Sequence, residues 1–185
     1  MAILNVTRRL ASAILIVAIA RPLPLGAQRG LEYEVKAAFI YNFIQFVMWP
    51  GTMSESSAPF RVCLYNENPF GMTLERTVRG EQVNGRPIVV ERIDAGSPVA
   101  RCQILFVPQS QSDLSGVAVR AASAGPVLTV GESPDFLSVG GMINLFVEGG
   151  RVRFDVNLPA AAAQDLTLSS RLLRVARNTS EGGGR

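Results

Sequence analysis

The chain has 185 residues, 48% of them hydrophobic, which is typical of one domain with a sizeable core. It contains no histidine, which excludes Ser-His-Asp and Cys-His catalysis and any histidine-ligated metal. The net charge is +3, but three arginines lie in the first 27 residues, and the remainder holds 15 basic and 15 acidic residues. Without a basic excess in that remainder, nucleic acid is not an expected partner.

The first 27 residues have the pattern of a secretory signal peptide. Arg8 and Arg9 precede an apolar run at residues 10–20, and the small-residue segment PLGAQ follows. A membrane-spanning helix needs roughly 20 apolar residues, so a permanent anchor is the weaker alternative. We therefore predict a signal peptide over residues 1–27 that is cleaved after Ala27.

A strongly apolar helix is predicted for the segment EYEVKAAFIYNFIQFVMWP, residues 32–50. One side of the helix carries phenylalanines, among them Phe46, and isoleucine and valine occupy much of the other side. We expect most of the helix to be buried, with any exposed remainder forming a protein-binding patch in which Trp49 is the aromatic of interest. Lys36 lies four residues after Glu32, where a helical ion pair is expected.

The middle of the chain alternates strand-like and helix-like segments. Short apolar runs predict strands that are buried on both faces, at residues 60–65, 88–93, 104–107 and 127–130. Helix-capable segments lie between them, at residues 68–78 and 112–124. The alternation predicts a single α/β domain over residues 28–177, with a mostly parallel central sheet and helices on both faces.

Cys63 and Cys102 are the two cysteines of the chain. Cys63 lies in the first apolar run and Cys102 shortly precedes the third, so neighbouring strands could bring the two α-carbons within bridging range. In an exported protein an even number of cysteines favours a disulfide, which is our preferred interpretation. Two buried free thiols are the alternative, and without a CxxC motif a redox-active role has less support.

Carboxylates are the remaining candidates for catalysis. Glu132 and Asp135 in GESPDF could act as an acid and a base, but Ser133 and Pro134 have the pattern of a helix N-cap and first turn, which we favour. The sequence has no phosphate-binding GxxxxGK[ST] motif. A hydrolase that uses only carboxylates and water is the weakest alternative. We predict no catalytic residue, no metal ligand, no cofactor and no enzyme activity.

The carboxyl-terminal region predicts an antiparallel hairpin followed by a helix. Gly149 and Gly150 separate two strand-like runs in MINLFVEGGRVRFDVNL, the second of which alternates apolar and polar residues. Ser169 or Ser170 is expected to cap the helix that follows. The residues that this helix is predicted to turn inward are Leu168, Leu172, Val175 and Ala176. We expect residues 178–185 to form a disordered tail.

Several blocks of the sequence together resemble the YfiR family of small periplasmic proteins. They are VKAAFIYNFIQFVMWP, CLYNENPFG, GGMINLFVEGGRVRFDVNLPAAAAQDLTLSSRLLRVA and the spacing of Cys63 and Cys102, and they span residues 32–177. The resemblance implies a non-enzymatic regulator that binds the periplasmic sensor region of an inner-membrane diguanylate cyclase and represses it, which lowers cyclic di-GMP and biofilm formation. It further implies a Cys63–Cys102 disulfide, an outer-membrane lipoprotein as a second partner, and homodimers in some members.

One departure limits what the resemblance implies. Well-studied members carry a second cysteine pair near the carboxyl-terminal hairpin, and this chain has none there, so redox regulation through that pair is not carried over. Our candidate partner-binding residues lie in the opening helix and the final helix, and they are Phe46, Trp49, Arg171, Leu172 and Arg174.

The competing interpretation is a periplasmic small-molecule binding module. Parallel α/β sheets place ligands in the crevice beyond the carboxyl ends of their strands. That rule would put Asn66, Asn68, Pro108 and Gln109 near a binding site. A ligand that raises the melting temperature would favour the binding module, whereas stable capture of a membrane cyclase would favour the regulator.

Overall fold

The computed structural model describes residues 25–51 and 58–180. The signal peptide predicted over residues 1–27 lies outside the described residues except for its last three, which belong to helix α1. Helix α1 spans Leu25–Phe46 and therefore runs through the predicted cleavage position. Among the described residues, no helix combines the length and the apolar character that crossing a membrane requires.

Ten strands and four further α-helices follow α1 in the part of the chain that the structure describes. The strands are β1 (Val47–Met48), β2 (Phe60–Tyr65), β3 (Gln82–Val83), β4 (Arg86–Ile93), β5 (Ile104–Val107), β6 (Leu128–Gly131), β7 (Ile143–Glu148), β8 (Arg151–Asn157), β9 (Thr167–Leu168) and β10 (Asn178–Ser180). The helices are α2 (Thr73–Val78), α3 (Ser115–Ala122), α4 (Leu158–Ala162) and α5 (Ser170–Leu173), with a 3₁₀ helix at Gln109–Leu114.

Eight strands form one sheet, in the order β10-β8-β7-β6-β5-β2-β4-β3. The strands from β4 across to β7 are parallel to their neighbours, as are β8 and β10. The β7–β8 hairpin and the β3–β4 pair are antiparallel. The predicted α/β domain, with a mostly parallel sheet and a carboxyl-terminal hairpin followed by a helix, is confirmed.

Side-chain alternation along the strands divides the apolar interior into two cores. On one face, residues such as Val62 and Phe106 pack with side chains of α1, α2, α4 and α5. On the other face, residues such as Cys63 and Leu105 pack with side chains of α3. Both faces of the central strands are therefore buried, which explains why the sequence shows continuous apolar runs there instead of alternation.

The two cysteines form a disulfide within the core covered by α3. Cys63 in β2 and Cys102 just before β5 have α-carbons 5.9 Å apart, and both side chains are fully buried. The adjacent parallel pairing of β2 and β5 brings the two positions together. The predicted pairing is confirmed.

The predicted helix at residues 68–78 begins later than expected, at Thr73. The Asn68 side-chain oxygen accepts the Phe70 backbone N–H, and its amide group donates to the Gly71 carbonyl oxygen. Gly71 has a positive φ of 55°, which is unfavourable for other residues. These local bonds hold residues 68–71 in a turn and delay the start of α2.

The opening helix and the final helix both end earlier than predicted. Helix α1 ends at Phe46, because Val47 and Met48 pair as strand β1 with β9. The final helix consists only of Ser170–Leu173, and the Ser169 hydroxyl caps it by accepting the Leu172 backbone N–H at 3.3 Å. The prediction that Val175 points inward is wrong, since its side chain lies beyond α5 and is 65% exposed.

The predicted disordered tail is wrong for its first three residues. Asn178–Ser180 form β10 and pair in parallel with β8. The Arg177 guanidinium holds the segment in place by pairing with the carboxylates of Asp155 and Glu148. Residues 181–185 lie outside the described residues.

Candidate functional site

A crevice lies at the carboxyl ends of β2, β5 and β6. The chain passes from β2 to β4 on one side and then returns to β5 on the other side, so the strand order reverses between β2 and β5. Open α/β sheets characteristically bind ligands at such a reversal. The cavity there measures about 670 Å³, and its lining includes Glu67, Phe70, Gln109 and Glu132.

A buried ion pair forms the base of this crevice. The Lys36 ammonium nitrogen of α1 lies 2.5 Å from a carboxylate oxygen of Glu132, and the two side chains are 5% and 2% exposed. Glu32 pairs with the same ammonium group, which confirms the predicted helical ion pair. Glu132 does not precede a helix, because residues 134–140 form turns, and the prediction of a helix start at Ser133 is wrong.

The Glu132 carboxylate accepts two further hydrogen bonds. The Tyr33 hydroxyl and the Gln109 backbone N–H each donate to its second oxygen at 3.1 Å. Burial, followed by the charge of Glu132 and this hydrogen bond, raises the pKa of Tyr33 well above its ordinary value, so the hydroxyl remains a donor. With its oxygens bonded to these donors, Glu132 is suited to holding a fixed charge and poorly placed to act as a general base.

The residues named for a small-molecule site divide into two groups. Asn66 has a positive φ of 61°, its side-chain oxygen accepts the Ala95 N–H at 2.7 Å, and its amide group donates to Gln111 at 2.8 Å. It thus joins the loops that follow β2, β4 and β5, while Asn68 shapes the turn before α2.

Pro108 and Gln109, by contrast, line the crevice itself. Glu132 was considered from the sequence only as a possible catalytic partner of Asp135. Its place in the crevice was missed, because its ion-pair partner Lys36 is 96 positions away.

The two segments predicted to bind a partner are neighbours in the fold. Strand β1 directly follows α1 and pairs with β9, which directly precedes α5. The Ser169 backbone N–H donates to the Phe46 carbonyl oxygen at 2.9 Å across this junction. We define the β1/α5 surface as the side chains that these segments leave exposed or partly exposed, namely Phe46, Met48, Trp49, Arg171, Arg174 and Val175.

The exposure of each side chain shows which of the predicted partner-binding residues can contact a partner. Arg171 and Arg174 are exposed, as expected for contact residues. Leu172 does not belong to the surface, because it is 3% exposed and packs in the core beneath it. Met48 and Val175 were missed by the sequence analysis, yet they are 60% and 65% exposed. Helical periodicity had assigned Val175 to the inside, because it continued the helix past Leu173.

Trp49 links this surface to the core. Its ring meets the ring of Phe60 edge-on, with centroids 5.1 Å apart. Its indole nitrogen is buried and has no hydrogen-bond partner among the described residues. The ring also lines a cavity of about 430 Å³ beside Met48, Val83 and Arg86. Trp49 therefore combines an apolar face with an unused donor, a combination common at protein interfaces.

The fold and the crevice define a small α/β protein of the doubly wound type with one internal disulfide. The family model described as YfiR/HmsC-like matches residues 33–177. The chain therefore belongs to the YfiR/HmsC-like family, and the resemblance inferred from the sequence is confirmed. Membership supports a periplasmic regulatory protein as the general class.

The solved structures that resemble this chain include one from Vibrio cholerae and one from Streptococcus pneumonia. A conserved domain protein from Vibrio cholerae aligns over 80% of this chain and 60% of its own length, with a TM-score of 0.55 and 12% identity. An ABC domain from Streptococcus pneumonia, solved in complex with L-Trp, aligns over 66% of this chain and 55% of its own length, with a TM-score of 0.49 and 10% identity. The first likeness concerns the fold alone, and the second is too weak to support a conclusion.

Proposed function

We propose that this protein is a periplasmic regulator that binds the periplasmic sensor region of a membrane diguanylate cyclase and represses it. Repression would lower cyclic di-GMP and, with it, biofilm formation. The observation that carries the proposal is the family match over residues 33–177. We propose no reaction for the chain itself, in keeping with the lack of histidine in its sequence.

The proposed contact region is the β1/α5 surface. Exposed Met48 and Val175, the partly exposed Trp49 ring, and the charges of Arg171 and Arg174 give it an apolar centre with cationic groups beside it. Interfaces combine aromatic, methionine and arginine side chains in this way. A partner surface with apolar side chains and carboxylates would complement it.

Binding alone is sufficient for repression. A membrane cyclase that interconverts between active and inactive conformations shifts toward whichever one the regulator binds more tightly. The shift equals the difference in binding free energy between the two conformations, and moving the population from 1:99 to 99:1 needs a difference of about 5.5 kcal/mol. An outer-membrane lipoprotein that competes for the regulator, or homodimer formation, would provide a route to release.

The proposal is tested by genetic epistasis in the organism that encodes the chain. Deleting the gene should raise cyclic di-GMP and biofilm mass, and deleting the partner cyclase as well should return both to the level of the cyclase deletion alone. Expression of the protein without its first 27 residues should fail to complement, because the product would stay in the cytoplasm. An undiminished deletion phenotype in the absence of every membrane cyclase would refute the proposal.

A further inference from the structure

A second cavity adjoins the crevice and is built around a polar group that lacks a partner. It measures about 490 Å³ and shares Glu32, Lys36, Gln109 and Glu132 with the crevice. Its other walls come from the loop after β6 and from the β7–β8 hairpin, and they include Leu137, Asn144, Leu145, Phe146, Asp155 and Arg177. A cavity of this volume is within the range of small-molecule sites.

Asn144 is the unpartnered group. Asn144 as a whole is only 7% exposed, and its side-chain oxygen is buried without a hydrogen bond from any described residue. A buried amide oxygen without a donor costs about 1–3 kcal/mol, so such a group is uncommon unless something else supplies the donor. In the structure the oxygen itself is enclosed; because the last side-chain torsion of asparagine is broad and roughly two-fold, rotating the amide would present the oxygen to the cavity that Asn144 lines. A donor placed in this cavity would therefore meet an acceptor that needs one.

The fixed charges around the cavity favour a cation. At its shared base, Glu32 and Glu132 carry two negative charges against the single positive charge of Lys36. On the opposite wall, Arg177 is already paired with Asp155 and Glu148, so it contributes no surplus positive charge. Glu132 is enclosed by its donors, whereas Glu32 is 28% exposed and remains accessible. An ammonium group would neutralise the excess negative charge, and a carboxylate would add to it.

The remaining walls are apolar. Leu137, Leu145 and Phe146 line the same space as Asn144 and Glu32. One face of the Phe146 ring is already covered by the Arg177 guanidinium, 4.1 Å from the ring centroid, which fixes the ring against the hairpin. A ligand would therefore place a compact apolar body against side chains that are already held in position.

We propose that this cavity binds a small organic amine, whose ammonium group contacts Glu32 and the Asn144 amide oxygen while its apolar body lies against Leu137 and Phe146. The site lies near Glu32 in the first half of α1, whereas the β1/α5 surface lies at the Phe46 end of the same helix. The inference is independent of the proposed cyclase repression, since it depends only on the cavity and its charges.

The test compares three probes of similar size and different charge. 2-Phenylethylamine, 2-phenylethanol and 3-phenylpropionate are titrated into the purified protein, with calorimetry for affinity and NMR for location. The amine should bind at least about tenfold more tightly than the alcohol, as expected for a charge-assisted hydrogen bond, and the carboxylate should bind most weakly. The largest shifts should involve the Asn144 side-chain amide and the backbone of residues 137 and 146.

Variants separate this site from nonspecific binding. Asn144→Ala should weaken amine binding about tenfold, and Glu32→Gln, which keeps the side-chain shape, should weaken it severalfold. Asn144→Asp should tighten it, because it adds a carboxylate to the site. Asn42→Ala, an exposed asparagine on the same helix as Glu32, is the matched control and should bind as the unmodified protein does.

Several results would overturn the proposal. They are no amine binding at millimolar concentrations, equal affinity for the amine and the alcohol, shifts confined to the β1/α5 surface, or an affinity that Glu32→Gln and Asn144→Ala both leave unchanged. None of these results bears on cyclase repression, so the two proposals fail separately.

Discussion

Lys36 is the buried cation that holds the crevice together. Its ammonium group lies between the carboxylates of Glu32 and Glu132 and is almost inaccessible to solvent. Bringing such charges out of water costs several kcal/mol, which their mutual attraction and hydrogen bonds offset. The arrangement ties α1 to the end of β6 and sets the negative charge at the base of both cavities.

Replacing Lys36 with methionine should destabilise the protein by about 3–5 kcal/mol, because Glu132 would remain buried without its counter-charge. Urea unfolding measures the change as a shift in the free energy of unfolding. The double variant Lys36→Met/Glu132→Gln should recover much of the loss, since it removes both charges. Arg79→Met, which removes an exposed cation from the end of α2, should change stability by less than about 0.5 kcal/mol. A Lys36→Met variant as stable as the Arg79→Met control would contradict this account.

Gly131 and Gly141 enclose the fully buried ring of Phe136. A β-carbon added at Gly131 would lie 2.2 Å from the ring, and one added at Gly141 would lie 2.3 Å from it. Neither contact is tolerable, and the ring has no space to move because it is completely enclosed in the core covered by α3. These glycines therefore allow the loop after β6 to fold over the sheet.

Substituting alanine at Gly131 should destabilise the protein by about 1–3 kcal/mol or more, through overpacking against Phe136. Gly30→Ala is the matched control, because Gly30 lies in α1 with no atom near the position of an added β-carbon. That change should instead stabilise the protein by up to about 1 kcal/mol, since alanine has the higher helix propensity. Thermal melting should show a lower melting temperature for Gly131→Ala and an equal or higher one for Gly30→Ala. Equal changes in melting temperature for the two substitutions would refute the packing argument.

Continuous apolar runs in the sequence located the central strands well. Strands β2 and β5 coincide with the predicted segments, and β6 is displaced by one residue. Their sequences are informative because both faces are buried, which requires apolar residues at every position. Strands β1 and β9 could not be predicted, because each has two residues and depends on a pairing between Val47 and Leu168, 121 positions apart. Local sequence carries no signal for such a contact.

The same pairing creates the β1/α5 surface from two distant segments. The sequence indicated both segments, and its helical pattern correctly predicted that Leu172 turns inward. Leu172 was nevertheless counted with the exposed Arg171 and Arg174 as a contact residue. In the short helix α5, Leu172 is the buried residue and supports the surface from beneath.

Charge reversal of this surface, Arg171→Glu/Arg174→Glu, should weaken capture of the cyclase sensor region by at least about tenfold while leaving the melting temperature nearly unchanged. Arg79→Glu/Arg120→Glu, which alters two exposed arginines elsewhere, is the matched control and should bind normally. Surface plasmon resonance with the immobilised sensor region measures the affinity of both double variants.

Leu172→Ala should act differently and lower stability by about 2–5 kcal/mol, because it removes a core side chain. Equal weakening by both arginine pairs would show that the surface is wrongly assigned.

The Cys63–Cys102 disulfide closes a loop that contains α2 and β4. Cys63 and Cys102 are 39 positions apart and completely buried. The bond stabilises the fold mainly by limiting the conformations of the unfolded chain. The family resemblance and the even cysteine number both indicated this bond. The position of the crevice also followed from the general rule for parallel sheets, although the residues that form its base did not.

Removing the bond with Cys63→Ala/Cys102→Ala should lower the free energy of unfolding by about 4 kcal/mol, as the chain-entropy model gives for a loop of this length. Reductant should leave the stability of this variant unchanged while it lowers that of the unmodified protein in denaturant. Urea unfolding with and without dithiothreitol measures both effects. A loss below about 1 kcal/mol would show that the folded state stores strain that offsets the loop entropy.

The rate of cyclic di-GMP synthesis by the partner cyclase, measured in oriented membranes or proteoliposomes, tests the proposed repression. Adding the purified protein to the periplasmic side should lower the rate saturably, and the Arg171→Glu/Arg174→Glu variant should require at least about tenfold more protein for the same inhibition. A synthesis rate that stays unchanged at saturating protein would contradict the account.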